Sequence, residues 1–418
     1  MQIKAPRGTY DILPPDSDKW QYIEKVLRET AQLFGFQEIR FPIFEHTELF
    51  ERGVGETTDI VSKEMYTFRD KGDRSVTLRP EGTASCTRAL IEHSAYSGVM
   101  PVKWYYTGPM FRYDRPAAGR FRQFHQFGVE AFGSHSPQLD IEVISLLVQI
   151  LANLGLKEYE LHLNSVGCPK CREVYRQKLV DHIRPVKEHL CKDCQIRFEK
   201  NPLRVLDCKV NTCHEAITGY PVIYDTLCED CREHYSIVQK GLQEIGIPYQ
   251  HDNNLVRGLD YYTNTAFEIH LPQLGTASAI GGGGRYNGLV HECGGPDIPG
   301  IGFAIGLERL LLALENELSA LNKPGCVFVA VFDKTYDMDG LKLVNQLRKD
   351  GFAAERDTTG RSAKAQMKFA DKLGARMAII LGKDEMDNGY YTLRNMESKE
   401  QITVKPKDLN STIKKILA

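Results

Sequence analysis

A chain of 418 residues exceeds what one hydrophobic core usually serves, so two or three domains are expected. Its composition is that of a globular protein, 42% hydrophobic and 26% charged; a net charge of −2 excludes a polycation, so any nucleic-acid contact must come from a local patch. No apolar run approaches the roughly 20 residues that span a bilayer, and residues 1–7 lack the apolar stretch of a secretory signal, which makes the cytoplasm the expected location, with no membrane partner.

Residues 16–34 predict an amphipathic helix. Trp20, Ile23, Leu27, Ala31 and Phe34 recur at helical spacing, Asp16 or Ser17 can cap it, and Gly35 stops it. A short apolar run, 36–41, ends at Pro42. Segments 103–112 and 122–132 read as aromatic-rich strands joined by 113–121, a long hairpin. Residues 140–154 are apolar nearly all round, hence a buried helix, with Gly155 as its stop. After a strand-like run at 161–166, cysteine and charge rise and apolar periodicity fades until about residue 233, as expected of an insertion spanning 168–233. Helical and strand patterns resume over 238–269. Glycines 281–284 then read as a tight turn where backbone approaches something closely. Residues 301–314 predict a strand passing into a helix, and 322–325 a linker. Beyond it, strand and helix patterns alternate (326–332, 340–349, 352–355, 362–373, 377–381), predicting an α/β domain with a mainly parallel sheet. That last domain holds 17 Lys/Arg against 13 Asp/Glu, 17 − 13 = +4, a bias compatible with RNA and common on any solvated surface.

The strand at 122–132 carries the first chemical signal. With period two, Arg122, Phe124, Gln126, Gly128, Glu130 and Phe132 share one face, which is either a solvated sheet face or a polar site inside an apolar stretch. Arg112, Arg115 and Arg120 gather at the same hairpin, and fork-like guanidiniums suit an anion such as a triphosphate. Three other segments concentrate polar groups: 77–83 with Arg79, Glu81 and Thr83; 255–263 with Arg257, Asp260, Tyr261 and Tyr262; and 302–310 with Glu308 and Arg309. Each has a structural reading (a salt-bridged turn, a core ion pair, a capped helix), but buried charges require either partners or a ligand. Nothing reads G-x-x-x-x-G-K-[ST], so a P-loop is absent.

Together these segments resemble the class II aminoacyl-tRNA synthetases, the histidyl-tRNA synthetases in particular. Residues 36–42 look like motif 1, the dimer-forming strand; 111–113 through 124–130 are similar to motif 2; Gly306-Leu307-Glu308-Arg309 matches motif 3. Residues 255–262 and 282–289 resemble the two peptides peculiar to the histidine enzymes, and Arg7-Gly8-Thr9-Tyr10-Asp11 also fits. The resemblance implies an α/β fold: an α+β catalytic domain on a mainly antiparallel sheet over 1–323, interrupted by 168–233, then an α/β anticodon-binding-like domain over 324–418. It implies a homodimer that activates L-histidine with ATP and Mg²⁺ and transfers it to tRNA(His). In that scheme Arg112 and Arg257 flank the α-phosphate, while Arg120 and Arg309 hold the γ-phosphate end. Glu81, Thr83 and Gln126 receive the α-amino group; Glu130 and Tyr261 bracket the imidazole, with Arg257 and Tyr262 completing the pocket. Arg361, Lys364 and Lys368 are the corresponding candidates for RNA contact. The rival expectation is a non-catalytic relative that regulates histidine biosynthesis, which normally lacks the C-terminal module and has eroded ATP contacts.

Eight of the eleven cysteines lie in the insertion. Cys168/Cys171, Cys191/Cys194 and Cys228/Cys231 are C-x-x-C pairs, and Cys208 and Cys213 make a looser fourth. Such spacing suits tetrahedral zinc, and eight thiols can fill two Cys₄ sites. Disulfides, which a cytoplasmic setting disfavours, and free thiols are the competing readings.

Overall fold

The computed structural model describes residues 3–55, 58, 60–117, 119–206, 208, 210–255, 259, 261–318 and 325–417. Backbone contacts divide the chain into two units, Met1–Ser319 and Ala320–Ala418. Among the described residues no helix is long and apolar enough to cross a membrane.

In the first unit the strands run β1 (Gln37–Glu38), β2 (Phe44–His46), β3 (Tyr66–Arg69), β4 (Ser75–Leu78), β5 (Val102–Phe111), β6 (Gln123–Phe132), β7 (Glu160–Ser165), β8 (Gln250–His251), β9 (Thr263–His270), β10 (Ala279–Arg285) and β11 (Gly300–Gly306). Eight of them form one sheet in the order β1-β5-β6-β11-β10-β9-β7-β8, and β2-β4-β3 form a small second sheet. Every pair from β5 to β7 across the large sheet is antiparallel; only the edge pairs β1/β5 and β7/β8 are parallel. The 103–112 and 122–132 expectations are met as β5, shifted by one residue at both ends, and β6, which starts one residue later.

Helix α1 (Asp16–Leu33) buries Trp20, Ile23, Leu27 and Ala31, the stripe its spacing predicts. Its N-cap is Pro15, with no side-chain cap bond, so Asp16 and Ser17 do not cap it. Asp16 and Asp18 instead sit in the first turn, where the helix dipole favours negative charge. Next come α2 (Thr47–Val54), α3 (Thr83–Glu92) and α4 (Pro137–Asn153). The last of these starts three residues before the expected 140, because Ser136 accepts from the Gln138 N–H (3.3 Å) and Pro137 takes the first helical position. Asp140 therefore lies inside the helix on its buried face. There it pairs with the fully buried Arg285 of β10 (2.6 Å) and bonds His234 and Thr265, fastening α4 to the sheet.

Glycines 281–284 form most of β10 and not a turn. A Cβ at Gly281 or Gly283 would overlap the carbonyl oxygens of Ala304 or Gly302 on β11. The glycines let two backbones approach closely, which the sequence implied, but inside a paired strand.

The insertion is helical: α5 (Pro169–Ile183), α6 (Lys192–Lys200), α7 (Asn211–Ala216) and the start of α8 (Glu229–Glu244), joined by 3₁₀ turns. Its core mixes Tyr175, Leu179, Ile183, Leu190 and Val205 with cysteines, so helical apolar spacing is diluted by residues chosen for their sulfur. The unit closes with α9 (Leu289–Glu292), α10 (Leu307–Ala313) and α11 (Glu315–Leu318).

The second unit holds β12 (Val327–Val331), β13 (Ala354–Arg356), β14 (Met377–Leu381), β15 (Tyr391–Asn395) and β16 (Gln401–Val404), ordered β13-β12-β14-β15-β16. The first three are mutually parallel, and β15 and β16 extend the sheet antiparallel. Every residue of β12 and β14 is buried, as in strands covered on both faces. Val327, Val329 and Val331 pack on one side, Phe328 and Ala330 on the other.

Candidate active site

A cavity of about 520 Å³ opens over the centre of the large sheet. The β5–β6 hairpin brings Arg112 and Arg120, β6 brings Phe124 and Gln126, and α10 brings Arg309. The period-two face predicted for residues 122–132 thus points into the cavity as far as Gln126, whose Oε1 is buried without a hydrogen-bond partner among the described residues. Such a group costs free energy unless a ligand satisfies it.

Glu81 and Thr83 reach the wall from the turn before α3. Glu81 accepts from the backbone N–H groups of Thr83 (2.7 Å) and Ala84 (2.8 Å), satisfying two orphan donors at the helix start. Burial nevertheless pushes its carboxyl up from the usual range, with these bonds opposing. Glu130 lies just behind the wall and is 1% exposed. Its carboxyl accepts from the hydroxyls of Thr83 (2.7 Å), Tyr106 (3.2 Å) and Tyr286. Burial outweighs those three bonds and raises it to about 8. Gly302 makes the room, since a Cβ there would collide with the Glu130 carboxyl. Tyr261 and Tyr262 close the other side, their rings 4.7 Å apart, with Tyr286 5.7 Å from Tyr261.

The opposite end of the cavity is cationic. Arg112 donates to the Pro80 carbonyl (2.9 Å) and lies over the Phe124 ring at 5.3 Å. Arg120 is 3.6 Å from the Asp114 carboxylate, and Arg309 donates to the Ala279 carbonyl. Burial lowers the affinity of Arg309 for its proton, and repulsion from Arg120 and Arg112 lowers it further. Arg309 thus stands across one space from two other guanidiniums that repel it, an arrangement that suits an anion.

Of the residues proposed from sequence, Glu81, Thr83, Arg112, Arg120, Gln126, Tyr261, Tyr262 and Arg309 meet on this wall, with Glu130 directly behind. Arg257, and Asp260 beside it, lie outside the described residues. Arg115 is exposed and does not join the wall. Arg79 takes the structural alternative, donating to the carbonyls of Phe41 (2.9 Å), Pro42 (3.3 Å) and Pro109 (2.8 Å). Sequence reasoning passed over Glu64, Glu268, Arg204 and Tyr286, all on the wall. Glu268 alternates normally along β9 and Arg204 sits in the insertion, so neither carried a signal; Tyr286 stands one residue beyond the glycine run and was within reach. Glu308, noted only as part of a charged helix start, accepts from His125 N (2.9 Å) and meets its ring (3.0 Å), tying α10 to β6.

The eight insertion cysteines are all unpaired thiols that converge in two groups: Cys168, Cys171, Cys228 and Cys231, and Cys191, Cys194, Cys208 and Cys213. Within each, the four sulfurs lie within 4.8 Å of one another.

Comparison with known proteins agrees with this layout. The family model described as Histidyl-tRNA synthetase matches residues 8–171 and 212–310, and that described as Anticodon binding domain matches 326–416. A histidine–tRNA ligase of Syntrophomonas wolfei is 65% identical, with 100% of this chain and 99% of that protein aligned; one of Desulforamulus reducens is 54% identical over 99% of each. The crystal structure of apo histidyl-tRNA synthetase from S. aureus superposes with a TM-score of 0.84 at 44% identity, covering 99% of this chain and 100% of that one. The antiparallel sheet with its arginine-lined cavity defines a class II aminoacyl-tRNA synthetase. Within that class, the chain belongs to the histidyl-tRNA synthetase family.

Proposed function

We propose that the protein is a histidine–tRNA ligase, which activates L-histidine with ATP and passes it to the 3′ end of tRNA(His), releasing pyrophosphate and AMP. The observation that carries this reading is the single cavity that joins the guanidiniums of Arg112, Arg120 and Arg309 to a carboxyl- and amide-lined recess. Arg112, with Arg257, flanks the α-phosphate, where charge builds as the histidine carboxylate attacks. Arg120 and Arg309 hold the γ-phosphate. Glu64 and Glu268 on the wall would offer hard oxygen donors to Mg²⁺, which when bound would supply neutralisation of phosphate charge. No side chain is a covalent nucleophile: positioning and fixed charge lower the barrier, on the order of 3 kcal/mol for a well-placed donor.

Glu81, Thr83 and the unpartnered Gln126 Oε1 receive the α-ammonium. The imidazole packs between Tyr261, with Tyr262 beside it, and the unit made by Glu130, Thr83 and Tyr286. Polar groups at fixed separation reject side chains that leave one of them unpaired, by on the order of 10⁴-fold. Residues 324–418 bind the anticodon arm, residues 36–42 form the homodimer contact, the enzyme works in the cytoplasm, and the insertion's cysteines hold structural zinc. The regulatory alternative has no use for three intact phosphate-facing arginines. Histidine-dependent exchange of pyrophosphate into ATP tests the reading: exchange with histidine and with no other amino acid is expected, and its absence sinks it.

A further inference from the structure

Each C-x-x-C pair starts a helix. Cys168 and Cys171 are the N-cap and third residue of α5, Cys191 and Cys194 those of α6, and Cys228 and Cys231 those of α8. Side chains at these two positions face each other across the first turn, as in a capping box, and the helix N-terminus favours a thiolate there. Three helix starts therefore supply six sulfurs in converging pairs, with Cys208 and Cys213 completing the set.

The distances set the disulfide reading aside and are those a zinc tetrahedron requires. Cys168 Sγ lies 3.6 Å from Cys171 Sγ and 4.0 Å from Cys228 Sγ, and Cys191 Sγ lies 3.9 Å from Cys208 Sγ. A disulfide needs about 2.05 Å. A tetrahedron with bonds of about 2.3 Å places its sulfurs about 3.8 Å apart. Backbone N–H groups point at the sulfurs too: Cys228 N to Cys171 Sγ (3.0 Å), Cys191 N to Cys213 Sγ (3.2 Å) and Val210 N to Cys208 Sγ (3.4 Å). Such donors stabilise thiolates.

We propose that the eight cysteines form two separate zinc centres, an inner one at the root of the insertion (Cys168, Cys171, Cys228, Cys231) and an outer one at its tip (Cys191, Cys194, Cys208, Cys213), and that the inner one positions the cavity wall bearing Tyr261 and Tyr262. This rests on the structural-zinc reading above and adds to it the partition of thiols and a function for one centre. The outer ligands, 191 to 213, all fall between Cys171 and Cys228, so the inner centre clasps the root of the insertion and the outer one folds its tip. Three of the four outer thiols lie between 171 and 212, the stretch the family match does not span. At the root, Val166 donates to the Asn264 carbonyl (2.7 Å) and Asn264 to the Gly167 carbonyl (3.0 Å), running the β7–β9 pairing up to Cys168. The Cys231 thiol donates to Asn264 Oδ1 at 3.5 Å. Once Cys231 is a metal-bound thiolate, the amide NH₂ is the end that can face it. Asn264 has φ +51°, a conformation Asn tolerates better than most residues, and it stands two places after Tyr262. A second cavity of about 520 Å³ has Cys168, Cys228, Cys231 and Tyr261 on its wall. The outer cysteines Cys194, Cys208 and Cys213 share a wide buried core with the tyrosines, and Arg204 between them reaches the first cavity, but among the described residues none of the four outer thiols bonds the strand that follows the tyrosines.

Full-length protein purified without chelator should contain two zinc ions per chain, and cobalt replacing them should give thiolate-to-metal charge-transfer bands for two sites. Cys171→Ala/Cys231→Ala and Cys194→Ala/Cys213→Ala should each retain one ion. The first should raise the KM for histidine in pyrophosphate exchange about tenfold or more, because misplaced contacts in an ordered site are costly. The second should raise it by a smaller factor, since of the outer segment only Arg204 reaches that cavity. Asn264→Asp, nearly isosteric but repelled by a thiolate centre, should keep both ions and raise the same KM, which guards against an inner variant that does not fold. Zinc at none or one per chain, loss of both ions from either pair, or an unchanged KM in Asn264→Asp overturns the proposal. Two ions in a chain with no histidine-dependent exchange leaves the partition standing but overturns the functional reading and, with it, the coupling.

Discussion

A carboxyl walled off from water by Thr83, Tyr106 and Tyr286 gives up its proton reluctantly, and Glu130 does so only near pH 8. Unfolded, the same group ionises near 4.5, so between these values the folded protein holds a proton the unfolded chain has released. Its contribution to stability is therefore full below pH 4.5 and is lost as pH rises through 8. Glu130→Gln keeps the neutral shape and removes that loss. Its unfolding midpoint should match the parent's near pH 4.5 and exceed it increasingly up to about pH 8, by an amount on the order of a few kcal/mol. Histidine-dependent exchange should collapse in the same variant; thermal scans across pH together with the exchange assay check both. The arginines behave in the opposite sense. Arg309→Gln relieves repulsion with Arg120 and Arg112, so the ligand-free protein should melt no lower than the parent, while exchange falls on the order of 100-fold through a weaker hold on ATP. A lower melting point with full activity would assign Arg309 to the scaffold. At this scale the sequence was legible where unusual groups stood in an apolar run, as Gln126 and Glu130 do. It was silent for Glu268, whose place in β9 looks like any alternating strand, and misleading for Arg79, whose partners are carbonyls that no side-chain pattern displays.

Four consecutive glycines have the lowest strand preference of any tetrapeptide without proline, so local propensity reads 281–284 as a turn. The requirement that overrides it is tertiary. Between β9 and β11, the space that a Cβ at Gly283 would need is already filled by the Gly302 carbonyl and Phe303. Backbone in the middle of an eight-stranded sheet cannot yield as a surface side chain does. Gly283→Ala should therefore destabilise by about 3 kcal/mol or more, read as a drop in urea midpoint, whereas Ala at the exposed Gly72 should change little. Equal midpoints for the two variants would mean that β10 is not held in this register. Helix and strand boundaries elsewhere were readable to within a few residues, because stripes such as Trp20, Ile23 and Leu27 mark one face. The insertion was not, because three of its four helices begin on cysteines and its core packs sulfur where a periodic pattern would place leucine.

On the scale of the whole molecule, the two units have separate cores: the second closes on Val327, Leu343, Ile379 and Ile413 with contacts of its own. The alternation of strand and helix announced the parallel part of that unit; β15 and β16 went unread because a short antiparallel hairpin adds no helix to mark it. Within it, Arg361 is bound to Asp357 (2.5 Å) and lies 4.1 Å over Phe369, a structural anchor, whereas Lys364 and Lys368 stand exposed four residues apart on α13 (Ala363–Lys372). An RNA contact on this unit draws first on the two lysines. Under the proposed function amino-acid activation needs none of these groups, since every described wall residue of the cavity lies before residue 310. A chain ending at Ser319 should accordingly keep histidine-dependent pyrophosphate exchange within about threefold, as expected when a domain with its own core is removed. Charging of tRNA should fall far more, by about 100-fold or greater in kcat/KM, because the RNA loses one of two linked attachment points and with it the effective concentration that holds the acceptor end at the cavity. In the full chain, Lys364→Ala/Lys368→Ala should move tRNA charging in the same direction by a smaller factor, with a weaker dependence on salt, and leave exchange untouched. If truncation abolished exchange as well, the second unit would be completing the first, and the division of labour between an activating unit and an RNA-reading unit would be wrong.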